Sequence, residues 1–362
     1  MHHTVHMFYK FDFHYFSAIY EVLRELSKTN KCRYFEKPKG YYQFQLLQNQ
    51  GIKIILRHSK LDGEITYSAI EIILNPMRLL DGNDYYQLAD EAHLNQIKAS
   101  FKKAFKEIGK KFQSNKRNKG LIFRFDQLDI YSFKRVDFAI NISTEHVDLY
   151  MKLIKRANIP KGFRLYTIYN SISKRYEPPK DSFYIYKKRH LNGKASFVDL
   201  TVNCYIKGIQ LLENELPYDE RAMTTIRFEI QCGYNKIYRI IRSKNLNKQG
   251  YSQFLREDIS AEVLDTYFKK TIGYGDYYTF SKAKELIMDS RMKSDTKYEL
   301  VNTLKIVNDK RGIWKARETV DNKKRFDNHI KKLHEIGINP VTIPISGKID
   351  YLPCLFGITN QI

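Results

Sequence analysis

The chain has 362 residues, of which 43% are hydrophobic and 28% charged, so we expect a globular protein with more than one domain. Lys and Arg number 62 against 40 Asp and Glu, which gives a formal net charge of +22, and 27 Tyr and 22 Phe accompany this excess of cations. Cations that meet phosphates, interleaved with rings that stack on unpaired bases, are typical of a nucleic-acid-binding surface. An AT-rich genome, whose codons enrich Lys, Ile, Asn, Tyr and Phe together, would produce a similar composition.

Several classes of protein are disfavoured at once. The cysteines lie too far apart for a C-x-x-C zinc or redox site and do not form a disulfide framework, which favours a reducing cytoplasm: Cys32, Cys204, Cys232 and Cys354. No apolar run reaches the length of a membrane span, and the first residues do not follow a signal-peptide pattern. Neither a P-loop nor a G-x-G-x-x-G motif is present, so we expect neither ATP nor dinucleotide chemistry.

The first part of the chain alternates strand and helix patterns. Periodicity predicts, in order, a strand at 6–13, a helix at 16–26, strands at 41–47, 52–57 and 65–74, and a helix from about 85 to 111. The segment 101–120 carries eight Lys/Arg against the single Glu107. It is either a solvated helix face with a flexible loop or a phosphate-binding patch. The candidate phosphate ligands in it are Lys110, Lys111, Lys116 and Arg117.

The second part repeats this order and then changes character. Periodicity predicts a strand at 135–142, a helix at 145–157, strands at 163–169, 183–187, 197–206 and 225–231, and a short helix at 217–222. Beyond residue 252 only helices are predicted, at 255–271, 279–291, 294–309 and 314–336, followed by an extended tail. We therefore predict an α+β fold of two split antiparallel-sheet units, at 1–120 and 121–250, and a helical C-terminal domain at 251–362.

The predicted strand at 134–141 carries an acid beside a base. Alternation places Arg135, Asp137, Ala139 and Asn141 on one face, with Val136, Phe138 and Ile140 on the other. An acid on a central strand is costly unless it is paired or binds a metal. Asp137 therefore either forms a structural ion pair with Arg135 or is a metal ligand.

A second predicted strand repeats this logic with Arg227, Glu229 and Gln231, and Lys207 ends the strand between them. Two carboxylates from separate strands, with a lysine nearby, would bind one Mg²⁺ or Mn²⁺ and a phosphate.

Directly after this strand, Tyr234 and Tyr238 would lie one turn apart on the same face of a predicted helix. A phenol is a poor nucleophile at neutral pH, so it needs a cation beside it. That environment would come from Lys236, Arg239 and Arg242.

Four segments together resemble rolling-circle replication initiators of phages and plasmids, including the filamentous-phage gene II type. They read KRVDFAIN, VNCYIKG, IRFEIQCGYNKIY and IEIILNPMRLL, and the closing segment from Phe326 to Leu333, with Gly337 to Asn339, is also similar to those phage proteins. The resemblance extends over nearly the whole chain.

The resemblance implies a DNA nicking-joining enzyme with a core of the kind found in Rep nucleases. A tyrosine would attack the scissile phosphate at an origin and stay linked to the 5′ end, while the free 3′-OH primes synthesis. Asp137 and Glu229 would be metal ligands, Lys207 would stabilise the phosphate, and Tyr238 or Tyr234 would be the nucleophile. A Y-x-x-K pattern at Tyr267 is a weaker alternative. Implied partners are origin DNA, duplex and single-stranded, with a host helicase and polymerase.

Two further readings stay open. A relaxase of a mobile element would share these residues, and a non-catalytic DNA-binding regulator would keep only the basic surface and the C-terminal helices. In that region the helix with Lys331 and Lys332 is either an amphipathic helix that packs on its neighbours or an element whose lysines contact duplex DNA. The chain lacks the His-hydrophobic-His strand of many nickases, and its nearest histidines, His2, His3 and His6, are expected to fray at the terminus.

Overall fold

The computed structural model describes residues 2–37, 40–61, 64–171, 174–191, 195–217, 220–344 and 349–356. The fold is mixed α+β and contains a large antiparallel sheet. The strands are β1 His2–Phe11, β2 Tyr34–Lys37, β3 Tyr41–Phe44, β4 Ile52–Leu61, β5 Glu64–Leu74, β6 Ser132–Ser143, β7 Arg164–Leu165, β8 Ile168–Asn170, β9 Arg175–Glu177, β10 Ser182–Leu191, β11 Ala195–Ile206, β12 Thr225–Gly233, β13 Tyr277–Tyr278 and β14 Tyr351–Leu352. The helices are α1 Phe13–Thr29, α2 Pro76–Leu80, α3 Leu94–Ala104, α4 Lys106–Ser114, α5 Val147–Ile154, α6 Lys207–Glu213, α7 Tyr234–Ser243, α8 Glu257–Thr271, α9 Phe280–Asp289, α10 Ser294–Asp309, α11 Ile313–Thr319 and α12 Lys323–Glu335.

Ten of the strands form the main sheet in the order β2-β3-β4-β5-β1-β6-β12-β11-β10-β7. The chain divides into two units, 1–139 with 230–262 and 140–229 with 263–362, and the boundaries fall inside β6 and β12. Both units are discontinuous in sequence, whereas the three segments predicted from the sequence are continuous.

In the first unit, alternation along β3, β4, β5 and β1 separates an apolar face from a polar one. Ile54, Ile70 and Ile72 are fully buried on the face against which α1 packs. Helix α1 begins where the Asp12 carboxylate accepts a hydrogen bond from the backbone N–H of Tyr15, and its Phe16 ring lies 5.0 Å from that of His58 on β4. This packing leaves the polar face of the same strands on the side opposite α1.

In the second unit, the apolar face of β12 packs on helix α8. The Phe228 and Phe268 rings lie 5.6 Å apart in an edge-to-face arrangement. The C-terminal helices share a core of their own, which contains Ala283, Ile287, Leu300, Leu304, Leu333 and Ile338.

The prediction of one helix over 314–336 was wrong, because Val320 adopts an extended conformation and α11 and α12 are separate. Asn322 then caps α12 by accepting a hydrogen bond from the backbone N–H of Arg325. Strands also recur after residue 252, since β13 and β14 pair with each other. In the described ranges, no helix combines the length and the apolarity that a membrane crossing would need.

Candidate functional site

Asp137 lies on the polar face of β6, as the alternation predicted. Its neighbours Val136 and Phe138 point into the core, yet Asp137 itself is only 1% exposed. The Arg135 Nε atom lies 3.0 Å from the Asp137 Oδ1 atom, so the ion pair considered from the sequence is present. Across the strand pair, Thr4 of β1 is the backbone partner of Asp137.

Glu229 lies on β12, the strand that neighbours β6 in the sheet, and is 3% exposed. The Tyr205 hydroxyl donates a hydrogen bond to Glu229 Oε2 at 3.1 Å. Burial first, and the charge of Glu229 second, raise the pKa of Tyr205 well above its ordinary value. Tyr205 therefore stays protonated. Its hydroxyl donates the hydrogen bond that holds the Glu229 carboxylate in position.

His3 completes a cluster that the sequence did not predict. Ligand atoms of His3, Asp137 and Glu229 all lie within 4.8 Å of one another. The expectation that the first histidines fray was wrong, because residues 2–11 form β1, paired on both sides by β5 and β6. A register shift between His2 and Thr4 interrupts the pairing with β6 at His3.

The donor set fits a divalent cation. Two buried carboxylates this close repel each other when both are ionised, and a cation between them would remove that cost. Carboxylate oxygens suit Mg²⁺ or Mn²⁺, and an imidazole ligand favours Mn²⁺ over Mg²⁺. His3, Asp137 and Glu229 are therefore the residues that would hold a metal.

Two buried cations lie on β12 and at the end of β11. Arg227 is fully buried, and its Nε donates to Asn141 Oδ1 on β6 at 2.8 Å. Lys207, at the junction of β11 and α6, is 2% exposed and donates from Nζ to Gln210 Oε1 at 2.7 Å. Both predicted phosphate ligands are thus held inside hydrogen-bond networks.

The two candidate nucleophiles lie on α7, the helix considered from the sequence, which begins directly after Gly233 of β12. Tyr234 is 51% and Tyr238 41% exposed, and the opposite face of the helix buries Ile237, Ile240 and Ile241. In the described part of the chain, neither hydroxyl hydrogen-bonds to Asp137 or Glu229. Both are open to a ligand.

The other predicted DNA contacts divide into exposed and ion-paired cations. The Arg242 guanidinium lies 5.9 Å from the centre of the Tyr238 ring, Arg239 is also exposed, and Lys236 is half-buried.

On α4 and just after it, Lys110 and Lys116 are exposed, whereas Lys111 and Arg117 lie 2.6 Å and 3.8 Å from Glu25 and Glu21 of α1.

On α12, Lys332 is exposed and Lys331 pairs with Glu335 at 3.4 Å. The ion-paired members of both groups already have a carboxylate partner within the chain.

A second polar cluster on the sheet was also missed. Glu71 of β5 is 1% exposed, and it accepts hydrogen bonds from His6 Nε2 at 2.9 Å and Lys134 Nζ at 2.8 Å, with Arg57 Nε at 3.0 Å. Burial opposes ionisation of this carboxyl, but the hydrogen bonds and charges of His6 and Lys134 outweigh it and lower its pKa to about 2. The sequence did contain a signal for this cluster, because Glu71 is a single carboxylate within the apolar segment IEIIL and a buried carboxylate needs partners.

No protein-family model matches the chain, and no curated protein matches it. Among solved structures, a di-domain ARO/CYC protein, StfQ, from the steffimycin biosynthetic pathway is 10% identical, with a TM-score of 0.21 over 74% of this chain and 96% of that one. DynU16, a putative protein of the dynemicin biosynthetic locus, is 7% identical, with a TM-score of 0.16 over 74% and 94%. Likeness this low carries no argument about fold or function.

Proposed function

We propose that the chain is a metal-dependent DNA nicking-joining endonuclease that initiates rolling-circle replication at an origin. The observation that carries this proposal is the His3–Asp137–Glu229 cluster, in which both carboxylates are buried and His3 is half-buried, with a helix bearing two exposed tyrosines directly after the strand of Glu229. Carboxylates that hold a metal, cations that stabilise the phosphate and an exposed phenol are the groups that phosphodiester transfer to tyrosine uses. The net charge of +22 suits the DNA substrate.

The chemistry of the proposed reaction is a transesterification. The tyrosine oxygen forms a bond to the scissile phosphorus, the bond from phosphorus to the 3′ oxygen breaks, and the proton lost by tyrosine is balanced by the one that the 3′ oxygen gains. The 5′ end remains as a phosphotyrosyl ester, and the 3′-OH is free to prime synthesis. Mg²⁺ or Mn²⁺ held by His3, Asp137 and Glu229 would withdraw charge from the phosphate.

The basic side chains supply binding and orientation in this proposal. Arg227 and Lys207 are held in place by Asn141 and Gln210, so their charges are fixed before DNA arrives. Arg242, beside the Tyr238 ring, would attract the scissile phosphate toward the Tyr238 hydroxyl. For this reason Tyr238 is the preferred nucleophile over Tyr234.

The finer architecture belongs to the same proposal. The strands of the two α+β parts would form a core like that of Rep nucleases, and the C-terminal helices, through Lys331 and Lys332, would grip duplex DNA beside the nick. Single-stranded and duplex origin DNA are the expected ligands, and a host helicase and polymerase would act on the exposed 3′-OH.

Incubation with labelled single-stranded origin DNA and Mn²⁺, resolved on a denaturing gel, tests the proposal. A labelled band of protein size that is lost with chelator supports it. Tight binding without cleavage on any origin fragment would favour a non-catalytic DNA-binding regulator. A covalent product on a transfer origin, but not on a replication origin, would favour a relaxase.

A further inference from the structure

The polar face of the first unit's sheet, opposite α1, is lined by cations and tyrosines. Alternation and register place these side chains on one face: Tyr41 is paired with Arg57, and Lys10 with Ala69 two residues from Tyr67. We call this surface the basic sheet face; its members by pairing are Lys10, Lys37, Tyr41, Arg57 and Tyr67, and Lys134, which lies at the register shift in β6, joins them through its contact with Glu71.

Each tyrosine of the basic sheet face lies against a cation. The Arg57 guanidinium is 4.9 Å and the Lys37 Nζ 5.5 Å from the centre of the Tyr41 ring, and Lys10 Nζ is 5.1 Å from that of Tyr67. Both rings remain partly exposed. Cations at these distances orient the rings without covering them entirely.

Glu71 fixes the cations at the middle of this face. Its buried carboxylate forms ion pairs with Arg57 and Lys134. The side chains of these two residues are still 42% and 37% exposed. Two of the four cations of the face contact this carboxylate, and the other two, Lys10 and Lys37, lie against the tyrosine rings, so the four named cations outnumber the carboxylate. Because Glu71 already orders the Arg57 and Lys134 side chains, these side chains lose less conformational entropy when an anion binds to them.

The basic sheet face is continuous with the side of β6 that carries Asp137. In the pairing of β1 with β6, His6 lies opposite Arg135 and Thr4 opposite Asp137. His6 also contacts Glu71, so one row of polar residues runs from Glu71 to Asp137 within the first unit.

From this arrangement we propose that the basic sheet face binds single-stranded DNA and holds the strand that leads to the cutting site. The inference deepens the proposed function and rests on it. A duplex keeps its bases stacked inside, where Tyr41 and Tyr67 would have nothing to contact. An unpaired strand offers both phosphates for the cations and base faces for the rings, as on other sheet surfaces with aromatic side chains.

Fluorescence anisotropy with a labelled oligothymidine and with a blunt duplex of equal length tests this inference. The wild-type chain is expected to bind the single strand more tightly. Y41A/Y67A should weaken oligothymidine binding by at least tenfold, since each stacked base contributes about 1–3 kcal/mol. Y41F/Y67F keeps both rings and should retain the affinity. The matched control is Y176A/Y298A, because both of these tyrosines are exposed elsewhere.

The inference is wrong if Y41A/Y67A binds oligothymidine as tightly as the wild type does, or if Y41F/Y67F loses as much affinity as the alanine variant. Circular dichroism verifies that each variant is folded. If the wild type forms the covalent adduct and Y41A/Y67A binds oligothymidine unchanged, the inference about the basic sheet face is wrong but the proposed nuclease is not. Ring-dependent binding without an adduct on any origin fragment would refute the nuclease while the binding face stands.

Discussion

Asp137 and Glu229 lie on neighbouring strands, both nearly excluded from solvent, with carboxylate oxygens within 4.8 Å of each other. Arg135 contacts the first and Tyr205 the second, so each carboxylate is held in place by its own neighbour. In the proposed site, a divalent cation bound by these two carboxylates and by His3, whose ligand atom lies within the same 4.8 Å, would offset their mutual repulsion.

Metal binding should stabilise the folded chain. At Mn²⁺ concentrations 100 times the dissociation constant, the free energy of unfolding should rise by about 2.7 kcal/mol, because the ion binds only the folded state. D137N and E229Q should lose this gain, while E145Q, at an exposed acid outside the cluster, should keep it. Urea titrations with Mn²⁺ and with chelator measure the difference. Equal stabilisation of D137N and the wild type would remove Asp137 from the ligand set.

His3 should set the preference for the metal. Replacing it with alanine removes the one nitrogen ligand, so H3A should lose affinity for Mn²⁺ more than for Mg²⁺. We expect a loss of roughly tenfold or more for Mn²⁺. Calorimetric titration of both ions into the wild type and H3A gives the ratio of the affinity for Mn²⁺ to the affinity for Mg²⁺ in each protein. A ratio that does not change would mean that the imidazole does not contact the ion.

Glu71 should make part of the stability depend on acid. Its pKa of about 2 in the folded chain lies below the ordinary value of 4.5, so its contribution is present above pH 4.5 and is lost as the pH falls through 2. The shift corresponds to stabilisation on the order of 3 kcal/mol. Urea unfolding of the wild type and E71Q between pH 6 and pH 2 isolates this contribution. The difference between their free energies of unfolding should become smaller in acid. The matched control is E335Q, since Glu335 is an exposed carboxylate in a surface ion pair. A difference in the free energy of unfolding that stays the same from pH 6 to pH 2 would contradict the prediction.

Binding to DNA should weaken steeply with salt, and the exposed lysines should account for the slope. Each phosphate contact contributes about 0.9 to the slope of log affinity against log salt concentration on duplex DNA. K116A should lower that slope by about one contact, whereas K111A should leave it nearly unchanged, since Lys111 already pairs with Glu25. Anisotropy at 50–200 mM salt measures both slopes. A flat salt response of the wild type would remove the electrostatic argument.

Much of the fold near the site follows from local patterns. Strict alternation in KRVDFAIN and IRFEIQ predicted β6 and β12, and the helix expected after the second strand, with Tyr234 and Tyr238 on one face, is α7. Short strands such as β13 and β14 were missed, because two residues give no periodicity and their pairing depends on tertiary contacts.

The pairing of Asp137 with Arg135 was foreseeable because alternation fixes which residues share a face. The contribution of His3 was not, because it depends on which strands neighbour β6 and on the irregular register of β1. The same limit applies to Glu71, whose partners come from three other strands.

The covalent adduct with single-stranded origin DNA is the most direct test of the account. In the presence of Mn²⁺, the wild type should form a labelled band of protein size, and mass spectrometry should find the nucleotide on Tyr238. Y238F should bind DNA normally and form no adduct, while Y234F should form it as the wild type does. An adduct that survives in both Y238F and Y234F would contradict the proposed site.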